Sequence, residues 1–248
     1  MLTQDRHSMI LKLLDEKSSV TLTELMSLLN TSESTIRRDL TALDKAGKLR
    51  KVYGGATSLD FYSSSEEDIY AKQDLQIAEK NLIAKQAAGM IERNDLVYID
   101  AGTTTELIIN YLTQRNAVYV TNGTAHASKL ADKGFTAFII AGQLKKSTAA
   151  IIGTSAVESL QSYNFTKGFF GTNGISIQAG FSTPDPIEAS VKKAAVRRCQ
   201  KAFVLADSTK FDKITPITFA ELREAFIITD ILKDRKYLNH TKILEVCK

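Results

Sequence analysis

Short apolar segments recur along the chain beyond residue 94, and segments of helical character separate most of them. Strands that alternate with helices favour a mainly parallel sheet with helices on both of its faces. The six segments that we predict to be strands are 96–99, 117–120, 137–141, 168–170, 202–206 and 225–228. The sequence therefore predicts an α/β domain over 75–248, and an α/β fold class for the chain as a whole.

Glycine and polar residues follow these strands, at the edge where parallel sheets bind ligands. Gly102, Thr103, Thr104 and Thr105 open a helix directly after the first strand. Backbone N–H groups and the positive end of the helix dipole meet there, and threonine hydroxyls add neutral donors, so the loop suits a phosphate monoester. A Gly-Thr-Thr sequence is also ordinary at a strand-to-helix junction, so the loop alone leaves both interpretations open.

Other polar residues and glycines lie at the same predicted edge of the sheet. They are Asp100, Thr121, Asn122, Gly171, Asn173, Asp207 and Lys210. For the last two, the alternative to a ligand site is a loop closed by a salt bridge between them.

Two amphipathic helical patterns begin the chain. The first helix is predicted over 4–16, and the second has a marked start because Thr21 and Glu24 form a capping box. The apolar residues that follow at helical spacing, all expected to face the core, are Leu25, Leu28 and Leu29.

A third helix and a hairpin follow. The helix is predicted over about 33–46, with Ser32 as its N-cap and Gly47 as its C-terminal stop. The segment 48–56 alternates apolar and basic residues and then turns at two glycines, which is typical of a β-hairpin wing. Together these patterns predict a winged helix-turn-helix over 1–57.

The outer face of the third helix carries short polar residues and arginines, which suit base edges and phosphates in a major groove. Six basic and two acidic residues lie between residues 37 and 51, and the whole chain has a net charge of only +4, so the positive charge is local. Asp39 is expected to pair with a neighbouring cation. The alternative is a small helical domain whose basic face is merely solvated. The candidate DNA contacts are Thr21, Ser32, Ser34, Thr35, Arg37, Arg38, Thr41, Lys48, Arg50 and Lys51.

The stretch between these regions is polar, and we predict a linker over 58–74. A helical pattern spans 66–93, and its apolar face either packs on the core or forms a dimer contact. The residues of that face are Leu75, Ala78, Leu82, Ile83, Ala87 and Met90.

Composition excludes several other classes of protein. The chain has 2 cysteines (Cys199 and Cys247), 3 scattered histidines, no apolar leader and no apolar run long enough to span a bilayer. We therefore expect a cytoplasmic protein without a disulfide framework, a metal site, a cofactor or a membrane partner.

The N-terminal motifs are similar to those of a known family. Residues 6–56, with Ser32-Glu-Ser-Thr-Ile-Arg-Arg-Asp-Leu and Gly54-Gly-Ala, closely resemble the winged helix-turn-helix of the DeoR family of bacterial regulators. The wing of that family commonly has His where this chain has Tyr53.

The strand-end motifs resemble the sensor domain of the same family. They are Asp100-Ala-Gly-Thr-Thr-Thr, Val120-Thr-Asn-Gly, Gly171-Thr-Asn-Gly-Ile and Asp207-Ser-Thr-Lys-Phe. One departure is Gly142-Gln143, where many relatives have paired glycines. The resemblance implies a fold shared with sugar-phosphate isomerases of the ribose-5-phosphate type, and an effector that is a phosphorylated sugar.

The resemblance also assigns roles. Residues Gly102 to Thr105 would hold the phosphate, and Asp100, Asn122, Asn173 and Asp207 would bind sugar hydroxyls. Lys192 or Lys210 would add charge, although Lys192 is alternatively a solvated residue paired with Glu188. The run Thr183-Pro-Asp-Pro is most similar to the branch that controls fructose operons, which implies a fructose phosphate.

These features predict a regulator that binds double-stranded operator DNA under the control of a sugar phosphate, and the resemblance implies that it is a repressor. Because helix-turn-helix proteins usually pair half-sites, a homo-oligomer, dimer or tetramer, is expected. The alternative is a sugar-phosphate isomerase or deaminase that carries a DNA-binding domain, with Asp100, Asp207 and Lys210 as acid and base groups. No His or Glu lies in the strand-end loops, which disfavours catalysis. Activation instead of repression also stays open.

Overall fold

The structure, a computed structural model, describes residues 2–17, 19–52, 54–58 and 75–246. Tyr53, Cys247, the beginning of the helix predicted over 66–93 and every linker residue except Ser58 lie outside the described residues. The N-terminal elements are α1 Thr3–Lys17, β1 Ser19–Thr21, α2 Leu22–Leu29, α3 Glu33–Lys45, β2 Arg50–Val52 and β3 Gly55–Thr57.

Helices α2 and α3 form the predicted helix-turn-helix. The capping box is present, since the hydroxyl of Thr21 accepts from the N–H of Glu24 at 3.2 Å and the N–H of Thr21 donates to the Glu24 carboxylate at 3.0 Å. After α3 the backbone enters the left-handed region at Gly47, with φ +64°. This conformation favours glycine and ends the helix where the sequence predicts.

The three helices pack around one small apolar core. The expectation for Leu28 is wrong, because its side chain is 54% exposed. Helix α2 has only eight residues, and Leu22, Leu25 and Leu29 occupy the face that meets the core. The core consists of Ile10, Leu14, Val20, Leu22, Leu25, Leu29, Ile36, Leu40, Leu43, Leu49 and Ala56.

The predicted hairpin belongs to a three-stranded antiparallel sheet of order β1-β3-β2. Strand β1 is too short to show a periodic pattern, so sequence reasoning missed it. A Cβ at Gly55 would lie 2.0 Å from the carbonyl oxygen of Val20 in β1. Only glycine therefore allows β1 to pair with β3 in this register.

Asp39 lies beneath the exposed face of α3 and pairs with a cation, as expected. Its carboxylate accepts from Arg6 Nε at 2.8 Å and from a terminal guanidinium nitrogen of Arg6 at 3.1 Å. Burial acts to raise the pKa of Asp39, but the hydrogen bonds from Arg6 hold it below its ordinary value. This pair fastens α1 to α3.

The α/β region is built on a seven-stranded sheet of order β15-β14-β12-β9-β4-β5-β6, in which every neighbouring pair is parallel. All six predicted strands are present, and β15 at the edge was not predicted. The strands are β4 Leu96–Ile99, β5 Val118–Thr121, β6 Thr136–Ile139, β9 Phe165–Gly171, β12 Cys199–Leu205, β14 Phe226–Thr229 and β15 Ile243–Glu245.

Helices cover both faces of this sheet, so its central strands are buried on both sides, while the edge strands β6 and β15 are largely exposed. In β4 the side chain of Tyr98 enters one apolar core, and those of Val97 and Ile99 enter the other. The helices are α4 Ile77–Gly89, α5 Thr103–Tyr111, α6 Thr124–Asp132, α7 Thr154–Leu160 and α8 Pro186–Arg197. The predicted α/β class with a mainly parallel sheet is confirmed.

Two small antiparallel additions were not predicted. One is a hairpin of β7 with β8, and the other is a sheet of order β10-β11-β13. Their bounds are β7 Gln143–Lys145, β8 Ala150–Ile152, β10 Gly174–Ser176, β11 Gly180–Thr183 and β13 Ile217–Ala220.

Helix α4 covers part of the helical pattern predicted over 66–93. Ile83 and Ala87 are buried in the core beside α5. This agrees with the alternative in which the apolar face of the helix packs on the core. Leu75 and Ala78 were expected on the same face but are exposed, because they lie at or before the first turn of α4, beyond the edge of that core.

Among the described residues, no helix is long and apolar enough to cross a membrane. The same residues contain no cluster of three or more His, Cys, Asp or Glu side chains placed to hold a metal ion. Cys199 is a free thiol.

Candidate functional site

The predicted functional residues lie on two surfaces. The first surface is formed by helix α3 and the wing. Ser34, Arg37 and Arg38 project from α3 into solvent, while Ile36 and Leu40 on the opposite side are buried. Lys48, Arg50 and Lys51 of the wing are also exposed. A shared shallow groove is lined by Arg37, Arg38, Thr41, Ala42, Lys45 and Lys51.

Hydrogen bonds join the wing to α3. Lys51 Nζ donates to Thr41 Oγ1 at 2.7 Å, and the backbone N–H of Lys51 donates to the Asp44 carboxylate at 3.0 Å. Arg37 pairs with Glu33 at 2.6 Å, one helical turn away. Arg38 has no such partner among the described residues, so its guanidinium is available in the groove.

Two of the predicted DNA contacts lie at helix starts. Thr21 is exposed, and its hydroxyl serves the capping box of α2. Ser32 is the N-cap residue of α3, as predicted, although its hydroxyl makes no capping bond. It instead bonds to the hydroxyls of Ser34 and Thr35, each at 3.0 Å.

The second surface is a cavity of about 270 Å³ beyond the C-terminal ends of the strands β4, β9 and β12. Eight of the twelve predicted ligand residues line it: Gly102, Thr103, Thr104, Gly171, Asn173, Lys192, Asp207 and Lys210. The tertiary structure therefore brings together loops that are more than one hundred residues apart in sequence.

The N-terminus of α5 forms one wall of the cavity. Gly102 is its N-cap residue, and Thr103 and Thr104 open the first turn, where backbone N–H groups have no partner within the helix. Lys80 on α4 is only 4% exposed, and its ammonium group donates to Thr103 Oγ1 at 3.1 Å. A buried cation and a helix N-terminus thus meet at one point, which suits an anion.

Lys192 and Asp100 form a buried ion pair in the adjoining wall. Lys192 Nζ donates to the Asp100 carboxylate and to the Gly171 carbonyl oxygen, the latter at 3.2 Å. The alternative of a solvated Lys192 paired with Glu188 is wrong, since Lys192 is 6% exposed. Burial raises the pKa of Asp100 above its ordinary value, although Lys192 and the Gly171 N–H both act to lower it.

Four predicted ligand residues do not line the cavity, because they are buried behind its wall. Asp100 is 1% exposed and faces Lys192. The hydroxyl of Thr105 donates to the Asp100 carbonyl oxygen at 2.6 Å. Asn122 Oδ1 accepts from the N–H of Ala101 at 2.8 Å, and Thr121 Oγ1 accepts from a neighbouring backbone N–H at 3.0 Å.

His126 supports the same loop and was not predicted. Its Nε2 lies 3.4 Å from the N–H of Gly102, and a Cβ at Gly123 would lie 2.5 Å from its Nδ1. Burial lowers the pKa of His126 to about 4, so the ring is neutral at pH 7. A neutral ring offers an acceptor nitrogen to the loop N–H.

Asp207 and Lys210 lie in a short turn at the cavity rim. The predicted alternative of a salt bridge between them is absent from the described residues. Asp207 Oδ1 instead accepts from the backbone N–H of Thr209 at 3.0 Å and from its hydroxyl. Asn173, on the facing loop, accepts from Thr183 Oγ1 at 3.2 Å.

Sequence reasoning missed several residues that line the cavity. Lys80 lies before the first predicted strand of the sheet, so nothing in the local sequence connects it with the Gly102 loop. Thr148 lies in the turn between β7 and β8 and donates to Glu188 Oε1 at 2.6 Å. The other such residues are Leu75, Gln76, Ala101, Thr172, Glu188, Leu205, Ala206, Thr209 and Lys213.

A basic winged helix-turn-helix combined with an α/β region that holds a polar cavity defines a DNA-binding regulator with a sensor domain. Family models agree with this class: the DeoR-like helix-turn-helix domain matches residues 6–61, and the DeoR C-terminal sensor domain matches residues 75–231. The chain belongs to the DeoR family of transcriptional regulators, and the predicted resemblance is confirmed.

Several relatives match almost the whole chain. The uncharacterized HTH-type transcriptional regulator FruR of Bacillus subtilis is 39% identical over 97% of this chain and 96% of that protein. The lactose phosphotransferase system repressor of Streptococcus mutans is 30% identical over 99% of both proteins. The HTH-type transcriptional regulator IolR of B. subtilis is 34% identical over 90% of this chain and 89% of that protein. Regulators, and not enzymes, are thus the proteins that this chain resembles along its length.

Among solved structures, ribose 5-phosphate isomerase A from Methanocaldococcus jannaschii matches 53% of each chain, with 13% sequence identity and a TM-score of 0.38. A match at this level says nothing about function.

Proposed function

We propose that this protein represses a sugar-utilisation operon and that a phosphorylated sugar, bound in the cavity, alters its affinity for operator DNA. The observation that carries the proposal is the meeting of the α5 N-terminus with buried Lys80 at a strand-end cavity. The relatives named as a lactose phosphotransferase system repressor and as FruR support a sugar operon as the target.

The phosphate binds, in this proposal, at the first turn of α5. Gly102 has no side chain, so an anion can approach the backbone N–H groups of Thr103 and Thr104 closely. The two hydroxyls and Lys80 add donors and positive charge. Such a site distinguishes a phosphorylated sugar from the free sugar, which lacks the anion.

The sugar hydroxyls contact the residues of the opposite rim. Asn173 and Asp207 offer an amide and a carboxylate, and Lys192 and Lys210 offer ammonium groups. Asp100, Thr105, Thr121 and Asn122 take a different role from the one implied by the resemblance. They hold the ligand-binding loops in place from behind.

Operator DNA binds, we propose, across α3 and the wing. Arg38 reaches base edges, while Lys48, Arg50 and Lys51 contact phosphates on either side. We also propose that the chain acts as a dimer or tetramer, since two helix-turn-helix units are needed to bind two half-sites. In the proposed division of the chain, 1–57 binds DNA, 58–74 is a linker and 75–248 binds the effector. A repressor of this kind works in the cytoplasm.

Ligand binding can change DNA affinity only if the effector binds two states of the protein with different affinity. A fructose phosphate is our first candidate effector, because the Thr183–Pro186 run is most similar to the fructose branch of the family. An isomerase function has no support from the relatives that match the full length.

A thermal-shift screen of the purified full chain tests the sensor half of this proposal. A ligand that binds only the native state raises the melting temperature by mass action. We expect fructose 1-phosphate or fructose 6-phosphate to raise it and fructose to leave it unchanged. If no sugar phosphate shifts the melting temperature, the assignment of the cavity is wrong, whereas the DNA-binding half stands.

A further inference from the structure

Glu188 is an acidic residue in the wall of a mainly basic cavity. It lies on α8, one helical turn before Lys192, and lines the cavity together with the α5 N-terminus. The charged side chains that line the cavity are those of Lys80, Lys192, Lys210, Lys213, Glu188 and Asp207.

The Glu188 carboxylate is held from one side only. Its Oε1 accepts from Thr148 Oγ1 at 2.6 Å and lies 3.3 Å from Lys145 Nζ. Lys145 does not line the cavity, and it also contacts Asp185 at 2.6 Å. Among the described residues, none bonds to the second oxygen, Oε2. The carboxylate is therefore fixed in position and keeps one acceptor for a ligand.

The lining of the cavity carries charges of both signs. Four lysines and two carboxylates line it, and Asp100 pairs with Lys192 from behind. A phosphate monoester carries a charge of about −1.5 to −2 at pH 7. A second phosphate placed near Glu188 would therefore meet a carboxylate of like charge.

We propose that Glu188 determines the specificity of the cavity: it accepts a hydrogen bond from a sugar hydroxyl and excludes a second phosphate. The effector class is then the sugar monophosphates, and the corresponding bisphosphates are rejected. This inference rests on the proposed function, because it requires a phosphate at the α5 N-terminus. Specificity through a repulsive group is common where two ligands share all their attractive contacts.

Equilibrium titration of the full chain with matched ligand pairs tests the proposal. One pair is fructose 1-phosphate with fructose 1,6-bisphosphate, and the other is glucose 6-phosphate with glucose 1,6-bisphosphate; inorganic phosphate reports on the α5 site alone. We expect the wild type to prefer one monophosphate by about tenfold or more, which corresponds to about 1.4 kcal/mol. Glu188→Gln keeps the shape and removes the charge, so it should reduce that ratio by about fivefold or more.

Two further variants separate a specific role from a structural one. Glu158→Gln makes the same chemical change on the exposed surface of α7, outside the cavity, and should leave the ratio unchanged. Thr148→Val removes one of the two contacts that hold the Glu188 carboxylate and should reduce the ratio by less than Glu188→Gln does. Melting temperatures without ligand show whether each variant folds.

The outcomes are distinguishable. An unchanged ratio in a folded Glu188→Gln variant, or a wild type that prefers the bisphosphate, overturns the role of Glu188 and leaves the phosphate site standing. If neither inorganic phosphate nor any sugar phosphate binds the wild type, the proposed function itself fails, and the inference fails with it.

Discussion

At the scale of single residues, burial decides which polar groups in the strand-end loops can reach a ligand. Asp100 and Thr104 are four residues apart in one loop, yet Asp100 is buried against Lys192 and Thr104 lines the cavity. A buried carboxylate requires a partner, because desolvation disfavours its charge. Asp100 therefore orients Lys192. The sequence could not predict this role, because in the sequence both residues have the character of ligand contacts.

His126 makes folding sensitive to acid. Its pKa is lowered to about 4 in the folded chain and is near 6.5 in an unfolded one. Its contribution is fully present above pH 6.5 and is lost as the pH falls toward 4, because the unfolded state then binds more protons. Between pH 7 and pH 5 the histidine should cost about 2 kcal/mol of stability.

Chemical denaturation of the wild type and of His126→Gln at both pH values measures this contribution. The free energy of unfolding should fall by about 2 kcal/mol more in the wild type than in the variant. Equal losses in the two proteins would show that the ring is not buried in its neutral form.

Arg38 and Lys51 should differ in what they contribute to DNA binding. Arg38→Ala should lower affinity for operator by about 1–3 kcal/mol and relax discrimination at one base pair, because an arginine can bind guanine through two hydrogen bonds. Lys51→Ala should weaken binding to all sequences alike and reduce the slope of affinity against salt by about one.

Fluorescence anisotropy with DNA selected in vitro by the wild type measures both effects. Arg93→Ala, an exposed arginine of the α/β region, is the control and should bind as the wild type does. Unchanged discrimination by the Arg38 variant would mean that α3 presents another residue to the bases.

At the scale of elements, the loop at the N-terminus of α5 has two roles. It connects β4 to α5, and it lines the cavity. The helices were predicted because their periodic patterns extend over several turns, and the strands of the parallel sheet because they are short apolar segments between helices. The three-residue strands β1, β7 and β8 were missed, since periodicity needs more residues than they have. Thr148 was missed as well, because it lies in the turn between β7 and β8, and that hairpin was not predicted.

Thr104→Val should weaken the response to effector and preserve DNA binding. Valine matches threonine in shape but lacks the hydroxyl that the cavity offers to an anion. We expect sugar-phosphate affinity to fall by about tenfold, as for the loss of one hydrogen bond to a charged group. Thr154→Val, at the exposed first turn of α7, is the matched control.

Titration calorimetry and anisotropy on the same preparations give both affinities. Loss of DNA binding together with effector binding would assign Thr104 a folding role instead of a contact with ligand.

At the scale of the whole molecule, one basic groove provides too few contacts for selective binding to a genome, and regulators of this class pair half-sites. We expect light scattering at micromolar concentration to give the mass of a dimer or tetramer. A footprint on operator DNA should then show two half-sites about 34–36 Å apart, or a multiple of that spacing. A monomer that still binds operator tightly would contradict this expectation.

The sequence by itself determined the fold class, the helix-turn-helix and its family, because these depend on local periodicity, caps and turns that neighbouring residues specify. It also placed eight ligand candidates on one cavity, since the C-terminal ends of parallel strands meet at one edge of a sheet. Only the tertiary structure decided which candidates face that cavity and which lie behind it. Lys80, His126 and Glu188 joined the site through contacts between distant segments, and such contacts depend on packing that no local pattern records.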